Sequence, residues 1–125
     1  MAELVTVSQV RDVIGGNDMR TDSGLPDSLD ERVRDLLDGA IDRAQENGRA
    51  TVRPEDLAGP QVDEPASLTV ASRVKDHVKN ADLRSDGNLP DAVNAHVQAI
   101  LEEAIERARA NGRSTVRPYD LPVLR

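Results

Sequence analysis

Apolar residues recur every three or four positions over two long stretches of the chain. Leu29, Val33, Leu36, Leu37, Ala40, Ile41 and Ala44 form the first stripe. Val93, Val97, Ile100, Leu101, Ala104, Ile105 and Ala108 form the second. This is the spacing of a helix with one buried face, and it predicts helices over about Pro26–Asn47 and Pro90–Asn111. Pro26 and Pro90 suit the first helical position, where the missing N–H costs nothing. Gly48 and Gly112 suit the left-handed residue that ends a helix. A shorter stripe, Val7, Val10, Val13 and Ile14, predicts a helix over Val7–Asn17, with Thr6 and Gln9 spaced for a reciprocal cap. Its counterpart runs over Ala71–Ala81. After each long helix, Thr51-Val52 and Thr115-Val116 predict a short extended piece. Turns at Pro54–Leu57 and Pro118–Leu121 follow, cut short by Gly59-Pro60 and by Pro122.

The two sets of elements are one unit written twice. A shift of 64 residues lays Val5–Leu57 on Thr69–Leu121 without a gap, with 24 identities in 53 positions. Asn47-Gly48-Arg49 matches Asn111-Gly112-Arg113, and Thr51-Val52-Arg53-Pro54 matches Thr115-Val116-Arg117-Pro118. The expected organisation is a first half at 5–57, a linker at 58–68 holding Gly59, Pro60 and Pro65, and a second half at 69–121. A unit of this size buries too little apolar surface to be stable alone. Two units crossed along their long helices enclose a core, and the linker makes the pairing intramolecular. The chain is expected to be an all-α, covalent dimer with approximate twofold symmetry.

Composition narrows the picture. One Tyr is the sole Phe, Trp or Tyr in 125 residues, so the core must be aliphatic, and a site that needs aromatic stacking is disfavoured. Cysteine is absent, which excludes disulfides and thiol chemistry and fits a reducing interior. No apolar run approaches the roughly 20 residues of a membrane span, and the first residues show no secretion signal, so the expected setting is cytoplasmic. Net charge is −7, unevenly divided: residues 1–66 carry −8 and residues 67–125 carry +1. A negative total repels nucleic acid and membranes, so any binding of DNA must come from local groups.

A short helix, a loop, a long helix, and a loop opened by Gly-Arg-x-Thr-Val resembles the histone fold. The segments Asn-Gly-Arg-Ala-Thr-Val-Arg-Pro-Glu-Asp-Leu (47–57) and Asn-Gly-Arg-Ser-Thr-Val-Arg-Pro-Tyr-Asp-Leu (111–121) are similar to the second loop of archaeal histones. Arg20 and Arg84, just after the short helices, are similar to the first loop. The chain also resembles single-chain histone-fold doublets of bacteria and archaea. Its third helix is a stub in both copies, unlike the long third helix of archaeal histones, which disfavours assemblies that use that helix.

The resemblance implies roles for particular residues. Arg49 is expected to clamp Asp56, and Arg113 to clamp Asp120, as structural pairs. The first loop of one half lies beside the second loop of the other, so Arg20 is expected to meet Thr115 and Arg84 to meet Thr51. Such pairs suit a guanidinium entering an inward-turned minor groove. Arg53 and Arg117 are expected to add phosphate contacts, as are Arg11 and Lys75 on the short helices. The resemblance thus implies sequence-nonspecific, salt-dependent binding of double-stranded DNA by a small chromatin protein, nucleoid-associated in the cell. The other open reading is a histone-fold dimerisation module whose acidic first half docks a protein. Asp30, Glu31, Asp35, Asp38 and Asp42 of the first long helix would form that acidic face, pointing away from DNA.

Other chemistry finds no support in the residues. His77 and His96 align with Val13 and Arg32, so neither recurs, and His77 reads as tolerated packing. Two lone histidines without cysteine do not make a zinc site. Residues 22–24 and 86–88 lack the ligand spacing of a calcium loop and read as turns. Gly15-Gly16 lacks the strand and Lys of a phosphate loop. No nucleophile has a base at hand. The chain is expected to be no enzyme and to need no metal or cofactor.

Overall fold

The computed structural model describes residues 4–122, so the reading of Met1–Glu3 as leaderless lies outside the described residues. The element order is α1 (Val7–Gly16), β1 (Arg20–Thr21), α2 (Leu25–Glu46), β2 (Thr51–Val52) and a 3-10 stub at Pro54–Asp56. The second copy repeats it as α3 (Ala71–Lys79), β3 (Arg84–Ser85), α4 (Leu89–Ala110), β4 (Thr115–Val116) and a stub at Pro118–Asp120. Among the described residues no helix is long and apolar enough to cross a membrane.

Local chemistry sets the helix ends. Each long helix begins one residue before its proline, which therefore sits within the first turn, where its lost donor has no intrahelical partner anyway. Gly48 (φ +67°) and Gly112 (φ +70°) end them in the left-handed region, where the Arg49 N–H reaches back to the Ala44 carbonyl at 2.9 Å and Arg113 N–H to Ala108 at 2.9 Å. The reciprocal cap expected at Thr6 and Gln9 is absent, since the Thr6 side chain caps nothing. Its backbone instead joins the other copy: Thr6 N–H donates to the Leu68 carbonyl and Val70 N–H to the Leu4 carbonyl, both at 2.8 Å. These bonds flank an antiparallel bridge between Val5 and Thr69. Residues 5 and 69 are the same position of the repeat, so an approximate twofold axis passes through this bridge.

Two further cross-pairings tie the copies together. β1 pairs with β4 in parallel, and β2 pairs with β3 in parallel. Neither copy completes a sheet by itself. One aliphatic cluster serves both copies, with Val10, Ile14, Leu29, Val33, Leu37, Val74, Val78, Val93, Val97 and Leu101 fully buried in it. The stripes read from the sequence are the residues that line this shared core.

One acidic-stripe position departs from expectation. Asp30 is not on the solvent face of α2: it is 3% exposed. Its Oδ1 accepts the N–H groups of Leu4 (2.6 Å) and Val5 (3.0 Å), and Arg34 pairs with its Oδ2 at 3.0 Å. Asn94 occupies the matching place in α4, accepting from the Thr69 N–H (3.0 Å) and hydroxyl (2.6 Å). The reason is the bridge: a strand leaving the core needs its donors satisfied, and a carboxylate or amide oxygen below it does that. Asp38 stays exposed on that face, and the departure there belongs to its partner. Asp38 meets His77 of α3 at 2.7 Å, so His77 makes a polar contact between copies rather than the apolar packing expected of a valine substitute.

Candidate nucleic-acid interface

The parallel strand pairs place the candidate residues. Arg20 stands in register with Thr115, and Thr51 with Arg84. Flanking bonds fix each junction: Arg20 N–H to Ser114 carbonyl at 2.8 Å, Asp22 N–H to Val116 at 3.0 Å, Arg84 N–H to Ala50 at 2.8 Å and Asp86 N–H to Val52 at 2.9 Å. Arg20, Arg84, Arg53, Arg117, Arg11 and Lys75 are exposed, while Thr51 and Thr115 are half-buried. Among the described residues none of these six cations forms an ion pair. Their charges are therefore open to a ligand.

Each junction rests on a buried carboxylate. Asp56 is 3% exposed and receives Arg49 twice, Nη1 on Oδ2 at 2.8 Å and Nη2 on Oδ1 at 2.5 Å. The Arg53 N–H adds a third bond at 2.8 Å. The Arg49 guanidinium holds the Asp56 carboxyl below the usual carboxylate range; burial opposes this and the Arg53 N–H assists it. The second copy repeats the arrangement, with Arg113 and the Arg117 N–H on Asp120, which is 2% exposed. The Arg113 guanidinium also lies 4.9 Å from the Tyr119 ring centroid. With the second loop braced from below, Arg53 and Arg117 are left pointing from a fixed backbone into solvent.

The structure adds residues that the sequence reading passed over. Arg43 donates to the Asp56 carbonyl at 2.7 Å, and Arg107, its repeat equivalent, to the Asp120 carbonyl at 3.4 Å. Their recurrence at matched positions was the available signal. Arg109 donates to the Asn17 carbonyl at 2.6 Å and so ties the end of α4 to the end of α1 beside the Arg20 junction. Its match is Gln45, so no repeat pointed to it. Asp18 (φ +60°) and Asp82 (φ +62°) adopt the left-handed region just after α1 and α3. Aspartate is one of the few residues besides glycine that visits it.

The structure also accounts for part of the charge difference between halves. Residues 58–68 do not hang free. The Val62 N–H donates to the Ala95 carbonyl at 3.2 Å and the Ala66 N–H to Gln98 Oε1 at 2.6 Å. This segment lies on the face of α4 that carries Ala92, Ala95, His96 and Ala99. The matching face of α2 carries Ser28, Glu31, Arg32 and Asp35, with Glu31 and Asp35 exposed. A covered helix face takes small neutral side chains and an open one takes charges.

No family model and no curated protein matches the sequence. Among solved structures, the chain is similar to the histone from Methanopyrus kandleri, at a TM-score of 0.62 and 16% identity. The alignment covers 93% of this chain and 89% of that one. The fold is therefore the histone fold, and it is all-α apart from the two-residue strand pairs.

Proposed function

We propose that the chain is a histone-fold pseudodimer, with halves at 5–57 and 69–121, that binds double-stranded DNA without sequence specificity as a small architectural protein. The observation that carries this reading is the paired register of Arg20 with Thr115 and Arg84 with Thr51, two like junctions built from opposite halves. Connectivity supports it. From one junction the chain runs back through α1 to the Val5–Thr69 bridge, then out through α3 to the other junction. The two short helices hold 10 and 9 residues, about 15 Å and about 14 Å at about 1.5 Å per residue. Arg11 and Lys75 lie on the helices along that arc. Each junction arginine would enter a minor groove and each loop would hold flanking phosphates.

The net charge of −7 opposes this attraction. Binding is therefore weak and steeply salt-dependent. Six cations, each neutralising one phosphate, give a slope of roughly −5 in log affinity against log salt. The test is a gel shift with random-sequence duplex at about 50 mM salt. The parent chain shifts the duplex, and the double variant Arg20→Ala, Arg84→Ala weakens binding by about tenfold or more. A parent that leaves the duplex unshifted overturns the DNA reading. The second reading, a protein-docking module, draws on the exposed acids Glu31, Asp35, Asp38 and Asp42 of α2, and it would then stand alone.

A further inference from the structure

His96 is 5% exposed on α4, beneath the segment that joins the two copies. That segment has no helix or strand between Leu57 and Leu68. Both leucines are buried and anchor its ends. Between them it touches α4 through the Val62 and Ala66 amides and through the Pro60 carbonyl, which approaches the His96 ring as an acceptor. The other ring nitrogen, Nδ1, is buried without a hydrogen-bond partner. A neutral imidazole accommodates this, because one nitrogen carries only a lone pair. A proton on Nδ1 creates a charged donor with nothing to donate to, and burial of such a group is strongly unfavourable. Release of the Pro60–Val62 stretch from α4 would give that donor access to solvent.

We propose that residues 59–66 are a strap that opens from α4 when His96 takes up a proton. Burial is the main influence on this histidine and holds it below the usual imidazole range, with the Pro60 carbonyl opposing. The strap brings Asp63 and Glu64, the first stub brings Glu55 and Asp56, and α4 itself brings Asp91 and Glu103. On α3, which also packs against α4, stand Lys75, Asp76 and Lys79. None of these charges contributes to the His96 shift, which burial governs with the Pro60 carbonyl opposing. The other copy supplies a contrast. There Arg32, half-exposed and always charged, donates Nε to the Pro122 carbonyl at 3.1 Å. The two positions are equivalent in the repeat, yet only the one under the strap carries an imidazole, a side chain that can gain or lose a proton in the physiological range when unperturbed.

Opening and protonation are linked. Between the open-state and closed-state pKa values, the opening constant rises about tenfold for each unit fall in pH. This inference does not depend on DNA binding. The test is amide hydrogen exchange of Val62 and Ala66, read by NMR on the full chain from about pH 7.5 to about pH 5, with the intrinsic pH dependence of exchange removed. Protection at both amides should fall about tenfold per pH unit once His96 begins to titrate, while the Leu101 amide in the core keeps its protection. In His96→Gln, which cannot titrate, protection of the two amides should stay level. Equal loss in that variant overturns the proposal. If the variant does not fold, the parent alone decides: His96 ring resonances that titrate while Val62 and Ala66 remain protected also overturn it.

Discussion

At the scale of single residues, the buried aspartates carry the most structural information. Asp56 meets three donors from Arg49 and Arg53. Asp56→Asn keeps the shape and loses the charge, and should cost about 2 kcal/mol in urea unfolding. The pH dependence has a definite sign. Because the folded carboxyl lies below its ordinary 3.8, the unfolded chain protonates first as pH falls. The stabilisation is whole above the unfolded value and drains away as pH drops through the folded one. Parent and Asp56→Asn unfolding curves should therefore converge in strong acid and separate toward neutrality. The pairing of Arg49 with Asp56 was legible through the resemblance to the histone fold, and the same spacing recurs at Arg113 and Asp120. Asp30 was not visible. The partners that bury it, beside the i+4 neighbour Arg34, are backbone N–H groups 25 and 26 residues away, and a donor common to every residue leaves no pattern.

At the scale of elements, the helices were legible because burial on one face imposes a period, and the period survives in both copies. Helix ends were legible where a special conformation demands a special residue. Gly48 has open space around a would-be Cβ, so its φ of +67° alone opposes substitution. Gly48→Ala should cost about 1 kcal/mol in thermal or urea unfolding, with little change in helix content by circular dichroism. The segment 58–68 was read as a plain linker because Gly and Pro mark irregular chain. Its docking on α4 uses backbone amides and one side-chain oxygen, which composition does not reveal. The hint lay across the helix instead, in Glu31 and Asp35 giving way to Ala95 and Ala99.

At the scale of the whole molecule, the fold was legible from the repeat together with the resemblance, while the contacts on the twofold axis were not. The bridge at Val5 and Thr69 joins two unlike residues at one repeat position, and an alignment gives no reason to bring a position onto itself. The completed core leaves little apolar surface. Among the described residues Tyr119, 65% exposed, is the one large hydrophobic side chain left outside. Stable association between chains needs a substantial apolar patch. Light scattering at tens of micromolar should therefore report the 13.6 kDa of a single chain. A mass of twice that value would point to a surface that the side chains do not advertise.

The strap over α4 gives this nearly symmetric molecule a front and a back. A dimer of identical units must accept every substitution twice, once at each end. Here a change at His96 is made once, and Arg32 is untouched by it. Each end can therefore be tuned alone. Laid along any symmetric ligand, the chain has two distinguishable orientations, and whatever reads the strap side can tell them apart.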